Sequence, residues 1–126
     1  MNAIDVRETI TEITVSDLKS SRDWYSRLFG KGADLEPFEG NVEYKIGGHW
    51  VQIVQGHVRP SSWTILFEVR DLAKERTRLL NAGIQVPEIK SAPNVISWFD
   101  IKDPDGNAMR WFQVFTTEKK VVGDRV

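Results

Sequence analysis

The sequence predicts an α+β fold built from two similar halves within one domain, and three observations carry that expectation. The chain has 126 residues, a length that suits one compact domain or two very small fused units, with no room for a catalytic domain plus a regulatory one. A short motif occurs twice, TVSDL at 14–18 and EVRDL at 68–72. Each copy follows an alternating, strand-like stretch and precedes a helical pattern that stops at a glycine. After each helix the pattern returns to strands that flank glycine-containing turns.

The elements follow in order. TITEITV at 9–15 alternates as a half-buried strand does. Asp17 is placed to cap a helix whose apolar stripe is Leu18, Trp24, Tyr25, Leu28 and Phe29, and Gly30 ends it. Strands at 42–46 and 50–54 then flank Gly47-Gly48, which supplies positive φ for a two-residue hairpin. The second half repeats the plan. TILFEV at 64–69 is the strand, Asp71 the cap, Leu72, Ala73, Leu79 and Leu80 the stripe, and Gly83 the stop. Strands at 95–102 and 108–115 flank DPDGN, where Pro104 presets φ and Gly106 permits a left-handed corner. Each half therefore reads as strand, helix, then two or three antiparallel strands. The halves span about 8–56 and 61–116 and are expected to share one core, while the tail at 117–126 lacks periodicity and is expected to fray.

Composition removes several classes of function. Lys and Arg number 17 against 18 Asp and Glu, for a net charge of −1. No broad basic field is available for nucleic acid or an anionic membrane, so neither is expected as a partner. The absence of Cys excludes disulfides, thiolate metal sites and Cys nucleophiles, and fits a reducing compartment. The first twenty residues carry charges throughout and no apolar run of signal-peptide or membrane-span length, so a cytoplasmic location is expected. No G-x-S-x-G, P-loop, G-x-G-x-x-G or Cys/His cluster occurs.

Three segments in this order, ITVSDLKSSRDWYSRLFG at 13–30, FEVRDL at 67–72 and FDIKDPDGN at 99–107, resemble the vicinal-oxygen-chelate superfamily, which includes glyoxalase I, bleomycin-resistance proteins, fosfomycin-resistance enzymes and extradiol dioxygenases. The resemblance covers roughly 9–115. It implies two βαβββ modules forming curled mixed sheets around a shared cavity, with two chains associated as a homodimer. It also implies four inward positions at which the metal enzymes of the superfamily carry His, Glu or Gln. In this sequence those positions hold Ile10, Gln52, Thr64 and Arg110. Ile offers no lone pair, Thr is a poor neutral ligand, and a guanidinium repels a cation. No metal and no other cofactor are therefore expected. The two histidines, His49 at the glycine turn and His57 beyond the following strand, are placed as turn or surface residues.

Strand parity then names the cavity face. Val51, Ile53, Met109 and Trp111 are expected to pack on the helices, and the alternate residues to face inward. A regular antiparallel pair across 103–107 places Asp100 opposite Arg110 and Trp98 opposite Phe112. The candidate ligand-binding residues are Arg110, Asp100, Trp98, Trp50, Gln52, Thr64, Phe112 and Ile10, and the candidate catalytic bases are Glu12, Glu68 and Asp100. The Asp100–Arg110 pair reads equally as a structural ion pair or as ligand-binding machinery. Trp24 and Trp111 read as core, and Trp63 as either helix-facing or a subunit contact. The function expected is metal-free binding of a partly aromatic, partly polar small molecule. The alternatives are a metal-independent enzyme, such as a lyase or isomerase, in which Arg110 stabilises an oxyanion, and a structural or regulatory interaction module.

Overall fold

The computed structural model describes residues 2–59 and 65–115. The alternating TITEITV stretch forms β1 (Ile10–Val15), and helix α1 (Leu18–Phe29) follows. The Asp17 carboxylate accepts from the backbone N–H of Lys19, and Gly30 closes the helix in the left-handed region at φ 69°, a conformation that costs any residue with a Cβ. Strands β2 (Leu35–Phe38), β3 (Asn41–Ile46) and β4 (His49–Gln55) complete the first half. The second half repeats the sequence of elements: β5 (Ile65–Glu68), α2 (Leu72–Asn81), β6 (Lys90–Ala92), β7 (Ile96–Lys102) and β8 (Ala108–Val114).

Each half is one helix and one four-stranded mixed sheet. The strand orders are β1-β4-β3-β2 and β5-β8-β7-β6, with β1 parallel to β4, β5 parallel to β8, and all other pairs antiparallel. This is the expected α+β architecture, and neither sheet closes on itself. The edge strands β2 and β6 supply the third strand that each βαβββ module implies, and the sequence gives them no position of their own because they are short and carry no alternation. β2 is exposed along its whole length and contains Pro37, a residue that edges tolerate.

One face of each sheet packs on the helices. Ile13, Val15, Val42, Tyr44, Val51 and Ile53 in the first sheet, and Phe99, Ile101, Met109 and Trp111 in the second, are buried against Tyr25, Leu28, Leu72 and Leu79. Burial of each such side chain contributes about 1.5–3 kcal/mol. Phe29, Phe67 and Trp111 form a line of ring contacts from the first half to the second, so the two halves share one core. In α2 the buried stripe is narrower than the sequence suggests. Leu72 and Leu79 are buried, Ala73 and Leu80 are exposed, and Ile84 and Val86, beyond the helix, complete the layer.

The halves also exchange polar contacts. Arg78 of α2 donates to the carbonyl of Leu28 at 2.7 Å and to that of Arg27, while Arg27 of α1 donates to the carbonyl of Ala82 at 3.3 Å. Each helix thus has orphan C-terminal carbonyls satisfied by a cation from the other module, where the helix dipole favours positive charge. Within each module the last strand holds the helix start: Gln55 accepts from Leu18 N–H, and Gln113 accepts from Leu72 N–H. The DPDGN loop supplies the remaining link. Asp103, buried, accepts from Tyr25 Oη at 2.6 Å, from the backbone N–H groups of Asp105 and Asn107, and from Asn107 Nδ2. Four donors meet the demand of a carboxylate removed from water. Asn107 also donates to the carbonyl of Thr14, and Ser16 donates through N–H and hydroxyl to Asp105.

Candidate functional site

The faces of the two sheets that turn away from the helices carry most of the residues selected by parity. On the first sheet these are Ile10, Glu12, Trp50 and Gln52, and on the second Leu66, Glu68, Trp98, Asp100, Arg110 and Phe112. All are exposed or half-buried, with Ile10 and Leu66 each 56% exposed. Thr64 and Trp63 lie outside the described residues. Within each sheet the register sets these side chains in rows.

On the second sheet, Asp100 pairs with Arg110 and Trp98 with Phe112 across β7 and β8, as the spacing of the turn predicts. Arg110 Nε donates to Asp100 Oδ1 at 2.7 Å, and Nη2 donates to Oδ2 at 3.2 Å. This two-point contact fixes the plane of the guanidinium. The same group stands 5.5 Å from the centre of the Trp98 ring, a cation–π distance. The hydrogen bond to Asp100 raises the Arg110 pKa further above its already high value, so the cation is permanent. Asp100 and Arg110 remain about a third exposed, at 36% and 29%.

On the first sheet, β3 places Glu43 beside Gln52, and β1 places Glu12 on the other side of it. Gln52 Nε2 donates to Glu43 Oε1 at 3.1 Å. Trp50 Nε1 donates to Glu8 Oε2 at 3.1 Å, and the Lys45 ammonium lies 5.7 Å from the Trp50 ring centre. Glu43, Lys45 and Asn41 were not among the residues selected from sequence. The alternation of β3, with Val42 and Tyr44 buried between them, is the signal that identifies them.

The chemistry of the donor set does not suit the metal that the superfamily implies. Of the three described positions, only Gln52 offers a ligand atom. Ile10 is aliphatic, and Arg110 brings a fixed positive charge locked to Asp100. Among the described residues no three His, Asp or Glu side chains converge as a metal site requires. His49 stands on the helix side of its sheet, with Thr9 Oγ1 2.7 Å from Nδ1 and Thr11 Oγ1 2.6 Å from Nε2. Both nitrogens are occupied in tying the start of β1 to the β3–β4 hairpin, a structural use.

Two clefts of about 900 and 410 Å³ open among the described residues, on the sides of α2 and β5. Glu68 lines both, whereas Trp98, Asp100 and Arg110 line neither. Arg70 and Lys74 also line the larger one, while other charges there are engaged within the protein. Asp71 caps α2, and Glu75 holds Arg78 and accepts from Trp111 Nε1. No described helix is long and apolar enough to cross a membrane.

No family model matches this sequence, and no curated protein matches it. Solved structures do match the fold. A glyoxalase/bleomycin resistance protein from Catenulispora acidiphila superposes with a TM-score of 0.73 at 21% identity, over 85% of this chain and 97% of that chain. A lactoylglutathione lyase from Agrobacterium tumefaciens superposes with a TM-score of 0.69 at 20% identity, over 86% of this chain and 94% of that one. A glyoxalase/bleomycin resistance protein/dioxygenase from Nocardioides gives 0.73 at 15% identity, over 94% and 89%. The fold is that of the vicinal-oxygen-chelate proteins.

Proposed function

We propose that this chain is a small-molecule binding protein of the glyoxalase and bleomycin-resistance type, which holds its ligand without a metal and works in the cytoplasm as a homodimer. The observation that carries the reading is the Asp100–Arg110 pair. A pre-oriented, permanently charged guanidinium stands on the helix-free face, at the position where the metal enzymes of this superfamily place an acidic ligand. The sign of the charge is reversed there. A ligand carboxylate, phenolate or carbonyl oxygen takes the place of a metal-bound oxygen, with Asp100 fixing the guanidinium plane and Trp98 offering an aromatic wall. Such a site recognises and sequesters its ligand, and no covalent step is needed.

The exposed Ile10 and Leu66 on these faces support the association of two chains, since a second copy would cover apolar surface that a lone chain leaves in water. Native mass spectrometry of the purified protein, followed by a thermal-shift screen of aromatic carboxylates and phenolates, tests the ligand role. Arg110→Ala is expected to weaken binding of any ligand so found by about 1.5–3 kcal/mol, the usual value of a hydrogen bond to a charged group. Unchanged affinity in a folded Arg110→Ala protein overturns the reading. Turnover of the ligand that survives chelators would replace the binding protein by a metal-independent enzyme.

A further inference from the structure

The smaller of the two clefts, about 410 Å³, is walled by both halves of the chain: the end of α1 and the β3–β4 hairpin from the first, and β5, α2 and β8 from the second. Volumes of about 300–1,000 Å³ are those of small-molecule pockets. Its apolar wall holds Phe29, Ile46, Leu66, Phe67 and Trp111. The three aromatic rings touch in series, Phe29 to Phe67 edge-on at 6.2 Å and Phe67 to Trp111 tilted at 4.8 Å, yet Phe29 and Phe67 are only half-buried. The polar side chains of the wall are already engaged. Thr9 and Thr11 occupy both nitrogens of His49. Arg78 donates to Glu75 and to the carbonyls of Arg27 and Leu28, Glu75 also accepts from Trp111, and Glu68 is partnered within the chain. Two carboxylates, Glu68 and Glu75, stand there against one guanidinium, Arg78. An anion is therefore repelled, and selection falls to shape and apolar contact.

We infer that this cleft is a second ligand site, which takes a small neutral aromatic molecule. Such a ligand adds one more ring to the series Phe29–Phe67–Trp111 and removes from water the apolar surface that Phe29, Phe67 and the 56% exposed Leu66 leave open. An uncharged ring also suits a wall whose polar groups are satisfied within the protein, since it brings no charge that needs a new partner. Trp98, Asp100 and Arg110 do not line the cleft. The two sites therefore differ in preference: the helix-free face takes an anionic or carbonyl oxygen on Arg110, and the cleft rejects an anion. Because both halves form the wall, a bound ligand bridges them, and the occupied protein should melt at a higher temperature.

The test uses the full chain and indole, followed by two-dimensional NMR titration. Amide signals of residues 46–49 and 65–69, which border the cleft, are expected to shift together along one saturating curve. Indole-2-carboxylate, the same rings with a negative charge, should bind about tenfold more weakly. Leu66→Asp, at an exposed position that tolerates the change, and Ile46→Trp, which fills the cleft, should each weaken indole about tenfold. Phe38→Ser, which removes an exposed aromatic of β2 outside the cleft, should leave the affinity unchanged. Shifts that do not saturate or that scatter over the surface, equal affinity for the carboxylate, or unchanged affinity in both folded variants would each overturn the cleft site. If indole fails while an aromatic carboxylate still binds in an Arg110-dependent way, the cleft site falls and the metal-free binding reading stands.

Discussion

Asp100 and Arg110 meet across two neighbouring strands with about a third of each side chain in water, and that exposure decides how much they stabilise. Solvent screening limits such a pair to about 1 kcal/mol or less. Arg110→Ala should therefore lower the melting temperature by only a few degrees, and Asp100→Asn combined with Arg110→Met should recover part of the loss. A collapse of the fold in Arg110→Ala would show the pair to be far more structural than its exposure allows. The tyrosines behave differently. Burial raises the Tyr25 pKa, helped by the neighbouring Asp103 charge and the hydrogen bond to it, and burial raises that of Tyr44. A raised native pKa gives stability that is complete below the unfolded value and is lost as pH climbs past it. Above about pH 10 the unfolded chain releases protons that the native chain keeps, and each tyrosine costs up to about 1.4 kcal/mol per pH unit. Tyrosinate absorbance should appear together with loss of circular dichroism, and tyrosinate in a still-native protein would refute the burial argument. At this scale parity made Asp100 opposite Arg110 legible in the sequence. Asp103 was legible only as a turn residue, because its partner Tyr25 lies in the other module.

The helices were legible because their ends are chemical: Asp17 and Asp71 start them, and Gly30 and Gly83 lie at their ends with positive φ. Strands β2 and β6 were not, since pairing with a neighbour rather than any pattern of their own defines them. The glycines also have a duty that no local pattern reveals. A Cβ on Gly30 would stand 3.1 Å from Arg78 Nη1, and one on Gly83 3.2 Å from Arg27 Nη1. Gly30→Ala should thus cost about 1–2 kcal/mol for its left-handed backbone, plus the displacement of Arg78. In an Arg78→Ala background the second part should vanish, so the two changes are expected to be less than additive by denaturant unfolding. Strict additivity would mean that the arginine moves aside freely.

For the whole molecule, the repeated motif announced two halves, and the contacts between them make one unit. The ring line through Phe29, Phe67 and Trp111, the arginines crossing between helix ends, and Asp103 gripping Tyr25 tie the two halves together at several points. Thermal unfolding should therefore be a single transition by tryptophan fluorescence and by circular dichroism, with calorimetric and van 't Hoff enthalpies in agreement. Two separated transitions would contradict the shared core. Light scattering is expected to return the mass of two chains at micromolar concentration, and a monomer mass there would remove the homodimer. What stayed illegible at this scale was which surfaces the two halves turn toward each other, because neither periodicity nor turn chemistry encodes the placement of one sheet relative to another.

The crossing arginines also constrain how this sequence can change over generations. Arg78 reaches its carbonyls only past a residue without a side chain at 30, and Arg27 passes residue 83 on the same terms. Each arginine is matched to a glycine in the opposite half. Two halves that began alike could diverge along their strands and open faces, yet residue 30 is bound to residue 78, and residue 83 to residue 27. The glycines have a second reason to stay, their positive φ, so the dependence runs one way: a lineage that loses Gly30 should lose Arg78 with it, and one that loses Gly83 should lose Arg27, whereas either glycine can outlast its arginine.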